Sequence, residues 1–73
     1  MADTILIVDD EPFARQFLQM ILEPMGFRVL TATRIEEAEQ QLALHDIDML
    51  FVDIKMPGED GLTWLARLSL IHI

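Results

Sequence analysis

Cysteine is absent from this sequence and basic side chains are scarce: five Lys and Arg stand against thirteen Asp and Glu, a formal net charge of −8. Without cysteine there is no disulfide framework and no cysteine-ligated zinc, which in so small a domain favours a reducing, cytoplasmic setting. Without clustered Lys and Arg there is nothing to neutralise phosphates, so the composition argues against a nucleic-acid partner and toward cations or basic partners. No apolar run approaches the ~18 residues that span a bilayer. The opening MADTILIVDD also lacks the basic start and small-residue cleavage site of a secretory signal, with Asp3 where such a signal wants positive charge. A soluble chain with no membrane partner is expected. Neither GxxxxGK nor GxGxxG occurs, so nucleotide binding has no support. His45 and His72 have no partner at metal or general-base spacing. No linker, internal repeat or low-complexity run divides the chain.

What is present is a small, apolar-rich domain. The chain has 73 residues, 52% of them hydrophobic, and a domain of that size buries only about 60% of the surface its unfolded form exposes. Thr4 to Val8 is β-branched and aliphatic without a polar break, as expected of a strand covered on both faces of a parallel sheet. Pro12 suits the first turn of a helix running to about Met25, with Phe13, Phe17 and Ile21 beside Ala14, Leu18, Leu22 and Met25 on its apolar side. Pro24 removes a donor from its last turn, and Gly26 supplies a left-handed stop with Phe27 folding back toward Leu22. Arg28 to Ala32 predicts a second, more polar strand near an edge. Thr33 and Glu36 fit a capping box ahead of a second helix to about Leu44, with Ile35, Ala38 and Leu42 as its inner stripe and Glu36, Glu37, Glu39, Gln40 and Gln41 facing water. Met49 to Val52 is a third apolar strand. After the loop KMPGEDG, Asp60 caps a third helix from about Leu62 to Leu68. Met20, Met25 and Met49 sit at core spacing and Trp64 reads as a partly buried anchor. Strands alternating with helices predict an α/β fold with a parallel sheet and right-handed crossovers.

The first and third strands both run straight into acid. ILIVDDEP carries Asp9, Asp10 and Glu11, and LFVD ends in Asp53. Parallel strands share a carboxyl-end rim, so if these two strands are neighbours Asp9, Asp10 and Asp53 converge in the crevice where such sheets bind ligands. Carboxylates so close repel one another, and a hard divalent ion such as Mg²⁺, which takes oxygen ligands and keeps several waters, relieves that repulsion. An Asp beside such an ion can act as a nucleophile toward a phosphoryl group. Helix capping is the plainer account of Asp10 or Glu11 taken singly. It does not explain an acid at the end of both strands.

LIVDDEP, followed some forty residues later by LFVDIKMPGEDGL, resembles the receiver domain of two-component response regulators. The resemblance spans residues 4 to about 68, but only about the first three-fifths of the family's domain. It implies a partial flavodoxin-like fold, three parallel strands in the order 2-1-3 with helices on both faces. It implies that Asp9 and Asp10 hold Mg²⁺ and that Asp53 is the phosphoacceptor and a further metal ligand. Lys55 would lend its backbone carbonyl to the ion, and Met56, Pro57, Asp60 and Gly61 would shape the loop before the third helix. A histidine kinase or phosphotransfer protein is the implied partner.

The family's fourth strand ending in Ser or Thr, its fifth ending in Lys, and its last two helices have no counterpart in these 73 residues. The chain is thus expected to be a single partial receiver domain over residues 1–73, with Ser69 to Ile73 a non-family tail. Two functions follow. One is a phosphoacceptor module that is not itself an enzyme. The other is a non-catalytic fragment that pairs through the exposed third strand, by self-association. An unrelated phosphohydrolase is disfavoured because no general acid accompanies the nucleophile.

Overall fold

The computed structural model describes residues 3–53 and 63–67. The elements are β1 (Thr4–Val8), α1 (Pro12–Leu22) continued by a 3-10 turn (Glu23–Met25), β2 (Arg28–Ala32), α2 (Ile35–Leu44) and β3 (Met49–Val52), and residues 63–67 are helical. The sheet is parallel with strand order β2-β1-β3. This is the expected architecture, with helices packed on both faces.

β1 lies at the centre, all five of its residues buried. Ile5 and Ile7 join Leu22 under α1, with Leu18, Phe27 and Val29 packed around them. Leu6 and Val8 point the other way, into a cluster with Ala32, Ile35, Ala38 and Trp64. Burying each such aliphatic side chain contributes about 1.5–3 kcal/mol, so the two-faced strand anchors the domain. Its start is tied to the approach to β3: Thr4 N–H donates to Asp48 Oδ2 at 2.7 Å and Asp48 N–H donates back to the Thr4 carbonyl at 2.8 Å.

The helix ends follow local chemistry. Glu11 is the N-cap of α1, its side chain accepting from Phe13 N–H at 3.1 Å, with Pro12 next. At the far end Pro24 converts the last turn to 3-10 geometry. Gly26 then adopts φ 98°, and Phe27 N–H reaches back to the Leu22 carbonyl. A residue other than glycine is strained there.

Four expectations need correction. Glu37, not Glu36, pairs with Thr33: its carboxylate accepts from both the Thr33 hydroxyl and the Thr33 N–H. The helix begins at Ile35, with Arg34 as N-cap, so the acid one position later is the one that reaches back. Second, Met20, Met25 and Met49 are exposed, as are Phe13, Phe17 and Ile21. α1 packs on β1 and β2 through Leu18 and Leu22, while Phe13, Phe17, Met20 and Ile21 stay in solvent. Third, Gln41 is half-buried with its Oε1 shut from solvent, not facing water. Fourth, Trp64, expected to be a partly buried anchor, is instead fully buried at 1% exposure in the cluster under α2. No helix among the described residues is long and apolar enough to cross a membrane. Lys55, Met56, Pro57, Asp60, Gly61, His72 and the stretch 69–73 lie outside the described residues.

The hydrogen bonds from Thr33, and secondarily the Arg34 charge, lower the Glu37 pKa below the ordinary glutamate value. A depressed folded value means the contribution is present above the unfolded pKa and lost as pH falls through the folded one. Glu37→Gln is therefore expected to lower the thermal midpoint at neutral pH and to have no effect in acid below the folded pKa. Glu36→Gln should match wild type throughout. Melts of both variants across a pH series check this, and equal loss in the two would refute the pairing.

Candidate functional site

Parallel register builds the site. Val8 of β1 is paired with Ala32 on one side and Val52 on the other, so the residues that follow leave the sheet together. The ladder runs one step past each strand: Asp9 N–H donates to the Ala32 carbonyl at 3.0 Å and Asp53 N–H to the Val8 carbonyl at 2.9 Å. Each acid is thus held by its backbone at the rim. Carboxylate oxygens of Asp9, Asp10 and Asp53 all lie within 4.8 Å of one another, Asp10 exposed and the other two half-buried. The structure brings together these three expected site residues; the fourth, Lys55, lies outside the described residues.

Below the acids is a cleft of about 230 Å³ lined by Ile7, Val8, Leu18, Phe51 and Val52 as well as Asp9 and Asp53. That is smaller than the ~300–1,000 Å³ typical of organic-ligand sites. A hydrated ion and one phosphoryl group match it better than a nucleotide does. The donor set, three carboxylates, is all hard oxygen and suits Mg²⁺.

The neighbouring acids divide the work. Glu11 caps α1, as the capping account expected of it, which removes that account from Asp10. Asp9 Oδ1 accepts from Glu11 N–H at 2.9 Å, fixing the direction of that carboxylate. One contributor escaped the sequence reading: Arg15, whose guanidinium donates through Nη1 to the Asp9 carbonyl at 2.8 Å. Helical side chains lean toward the helix N-terminus, so an Arg on the first turns of the helix after the acids was the available signal.

A parallel sheet with helices on both faces and acids gathered at its carboxyl-end rim defines a flavodoxin-like domain of the signalling type. The profile of the response regulator receiver domain matches residues 5–72, and the chain belongs to that family. These are signalling domains, not classical enzymes. The chain is 38% identical over 69 residues to the response regulator GtcR of Aneurinibacillus migulanus, covering 94% of this chain and 28% of that protein. It is 40% identical over 73 residues to the transcriptional regulatory protein AruR of Pseudomonas aeruginosa, covering 93% and 30%. Among solved structures, a CheY-like receiver domain from Methylobacillus flagellatus superposes with TM-score 0.86 at 25% identity, covering 94% of this chain and 58% of that one. The complex of histidine kinase ThkA with response regulator TrrA gives TM-score 0.85 at 35% identity, covering 93% and 59%. The chain therefore spans under a third of these curated relatives and under two thirds of these solved chains.

Mg²⁺ is expected to bind weakly but saturably at the rim. Loss of even an outer contact costs metal sites about tenfold or more, so Asp9→Asn or Asp10→Asn should weaken binding by at least about that factor. Calorimetry or amide shifts on Mg²⁺ titration read this directly. Undiminished binding in the double variant would mean the ion sits elsewhere.

Proposed function

We propose that this chain is a phosphoacceptor module of two-component signalling, taking a phosphoryl group on Asp53. The observation that carries the reading is the gathering of three carboxylates at the ends of β1 and β3 in a chain of the receiver family. An Asp53 carboxylate oxygen attacks phosphorus of the donor, the bond from phosphorus to the donor's imidazole nitrogen breaks, and its electron pair stays with the imidazole. The product is an acyl phosphate on Asp53. Asp9, Asp10 and Asp53 would hold Mg²⁺ at the rim; Lys55, whose backbone carbonyl the family resemblance adds to them, lies outside the described residues. When bound, that ion offsets the charge of the two anions that must meet. The half-buried setting of Asp53, walled by Phe51 and Val52, limits water around the transfer.

The donor is a histidine kinase or a phosphotransfer protein, as the likeness to a regulator solved with its kinase supports. Phe13, Phe17 and Met20 form an exposed apolar patch on α1, which starts beside the acid rim, and a donor helix seats there. A cytoplasmic address goes with kinase-supplied phosphoryl groups.

Incubation with acetyl phosphate and Mg²⁺, followed by intact mass, tests the reading. One phosphoryl group is expected on the wild-type chain and none on Asp53→Asn. For the 73 residues alone the rate should be low, because the family's phosphoryl-binding hydroxyl and lysine have no counterpart here, and one such contact is typically worth ~10²- to 10³-fold. Labelling on another residue would defeat the assignment.

A second reading, self-association, has its own observation. Met49 and Phe51 pair with Ile5 and Ile7 and so share their sheet face, yet they are 51% and 37% exposed where Ile5 and Ile7 are 1%. Among the described residues no strand pairs with the outer edge of β3. Such an edge is a template for another strand. A concentration-dependent dimer is expected by light scattering, strengthened by salt because each copy carries −8. Met49→Lys should return it to monomer. A wild type that stays monomeric at high concentration and high salt would rule this out.

A further inference from the structure

Among the described residues, Arg15 is a cation tied by a hydrogen bond to the acid-bearing turn. It holds that turn at two points. Its own N–H donates to the Glu11 carbonyl at 3.2 Å as part of the first helical turn, and its guanidinium donates to the Asp9 carbonyl at 2.8 Å. With Asp9 N–H on Ala32 and Asp9 Oδ1 on Glu11 N–H, the residue that carries the first acid is fixed at N–H, carbonyl and carboxylate. The carbonyl is the point that needs explanation. β1 has ended at Val8, and buried or half-buried carbonyls are seldom left unpaired. A charged donor makes the stronger bond.

We infer that Arg15 is a positioning residue for the acid cluster, holding the Asp9–Asp10 turn in the shape that receives a divalent cation. The inference rests on the Mg²⁺ site proposed above. Two effects of Arg15 oppose each other. As a positive charge near the rim it repels the incoming ion. As a tether it keeps the carboxylates converged before the ion arrives, so ordering the turn costs nothing at binding. The charge acts partly through solvent, where it is screened, whereas the tether acts through a short, part-buried bond. The tether therefore dominates. Arg15 acts through Asp9 and does not touch the ion.

Mg²⁺ titrations of wild type, Arg15→Met, Arg15→Lys and Asp10→Asn, followed by backbone amide shifts with thermal melts in EDTA, test this. Arg15→Met keeps an unbranched stem of similar reach and loses the donor; it should weaken Mg²⁺ about tenfold, as loss of an outer-shell partner does. Arg15→Lys should recover part of that affinity. The shifts of Asp9, Asp10 and Glu11 should move in the ion-free Met variant while the β1 and β2 amides stay in place. Equal or tighter Mg²⁺ binding in Arg15→Met would overturn the inference and leave the metal site standing. A wild type that shows no saturable binding, or binding unaffected by Asp10→Asn, would overturn the metal site and the inference with it. Weakened affinity that merely tracks a general loss of fold, with sheet amides displaced and no recovery in Arg15→Lys, would also count against a positioning role.

Discussion

β1 is paired on both edges, with β2 and β3, and covered on both faces, by α1 over Ile5 and Ile7 and by α2 with Trp64 over Leu6 and Val8. No solvent reaches the strand, so no charge can sit within it without a partner. The first position where the cover stops is Asp9. Because the flanking strands are parallel, their exits lie at the same level, and the chain can place further acid there without returning to it by a long detour. Function sits where burial ends, and burial ends at one rim because the strands share a direction.

Gathering the acids has a cost that the fold must bear. Two unit charges 4.8 Å apart repel by roughly 1 kcal/mol in water and by about 3.5 kcal/mol at an effective dielectric of 20. Asp9, Asp10 and Asp53 make three such pairs within that distance. Asp9 and Asp53 are held at the rim because their backbones are clamped by the extended ladder, not because their side chains attract. A cation bound among them would relieve that repulsion.

The sequence made the sheet legible because unbroken apolar runs leave a clear mark: Ile5 to Val8 and Met49 to Val52 have no polar interruption and each is followed by acid, although only β1 is buried on both faces. The breakpoints at Pro12, Pro24 and Gly26 were equally readable, since they follow from ring closure and a missing Cβ. What the sequence did not disclose depends on how far one element reaches over another. α1 has more apolar residues than it has sheet to cover. Periodicity assigned Phe13, Phe17 and Ile21 to a buried stripe, but the helix crosses β1 and β2 on Leu18 and Leu22 and leaves the others in solvent. The exchange of Glu36 for Glu37 has a similar origin. Spacing alone allows either acid to reach Thr33, and a one-residue difference in where the helix starts decides between them.

The uneven cover of the sheet also shapes the site. On the face shared by Ile5, Ile7, Met49 and Phe51, α1 shields the β1 pair and stops short of β3. The gap between helix and strand becomes the cleft, with Leu18 and Phe51 as its walls and Asp53 at its upper end. Had α1 reached across β3, Asp53 would be closed off beneath a helix. Had it covered less of β1, water would reach Ile7 and the strand that positions Asp9 would lose one of its two packed faces. The helix placement that leaves apolar side chains exposed is thus the same one that opens a path to the acid. Surface that looks poorly buried in isolation is, at this rim, the wall of the approach to Asp53.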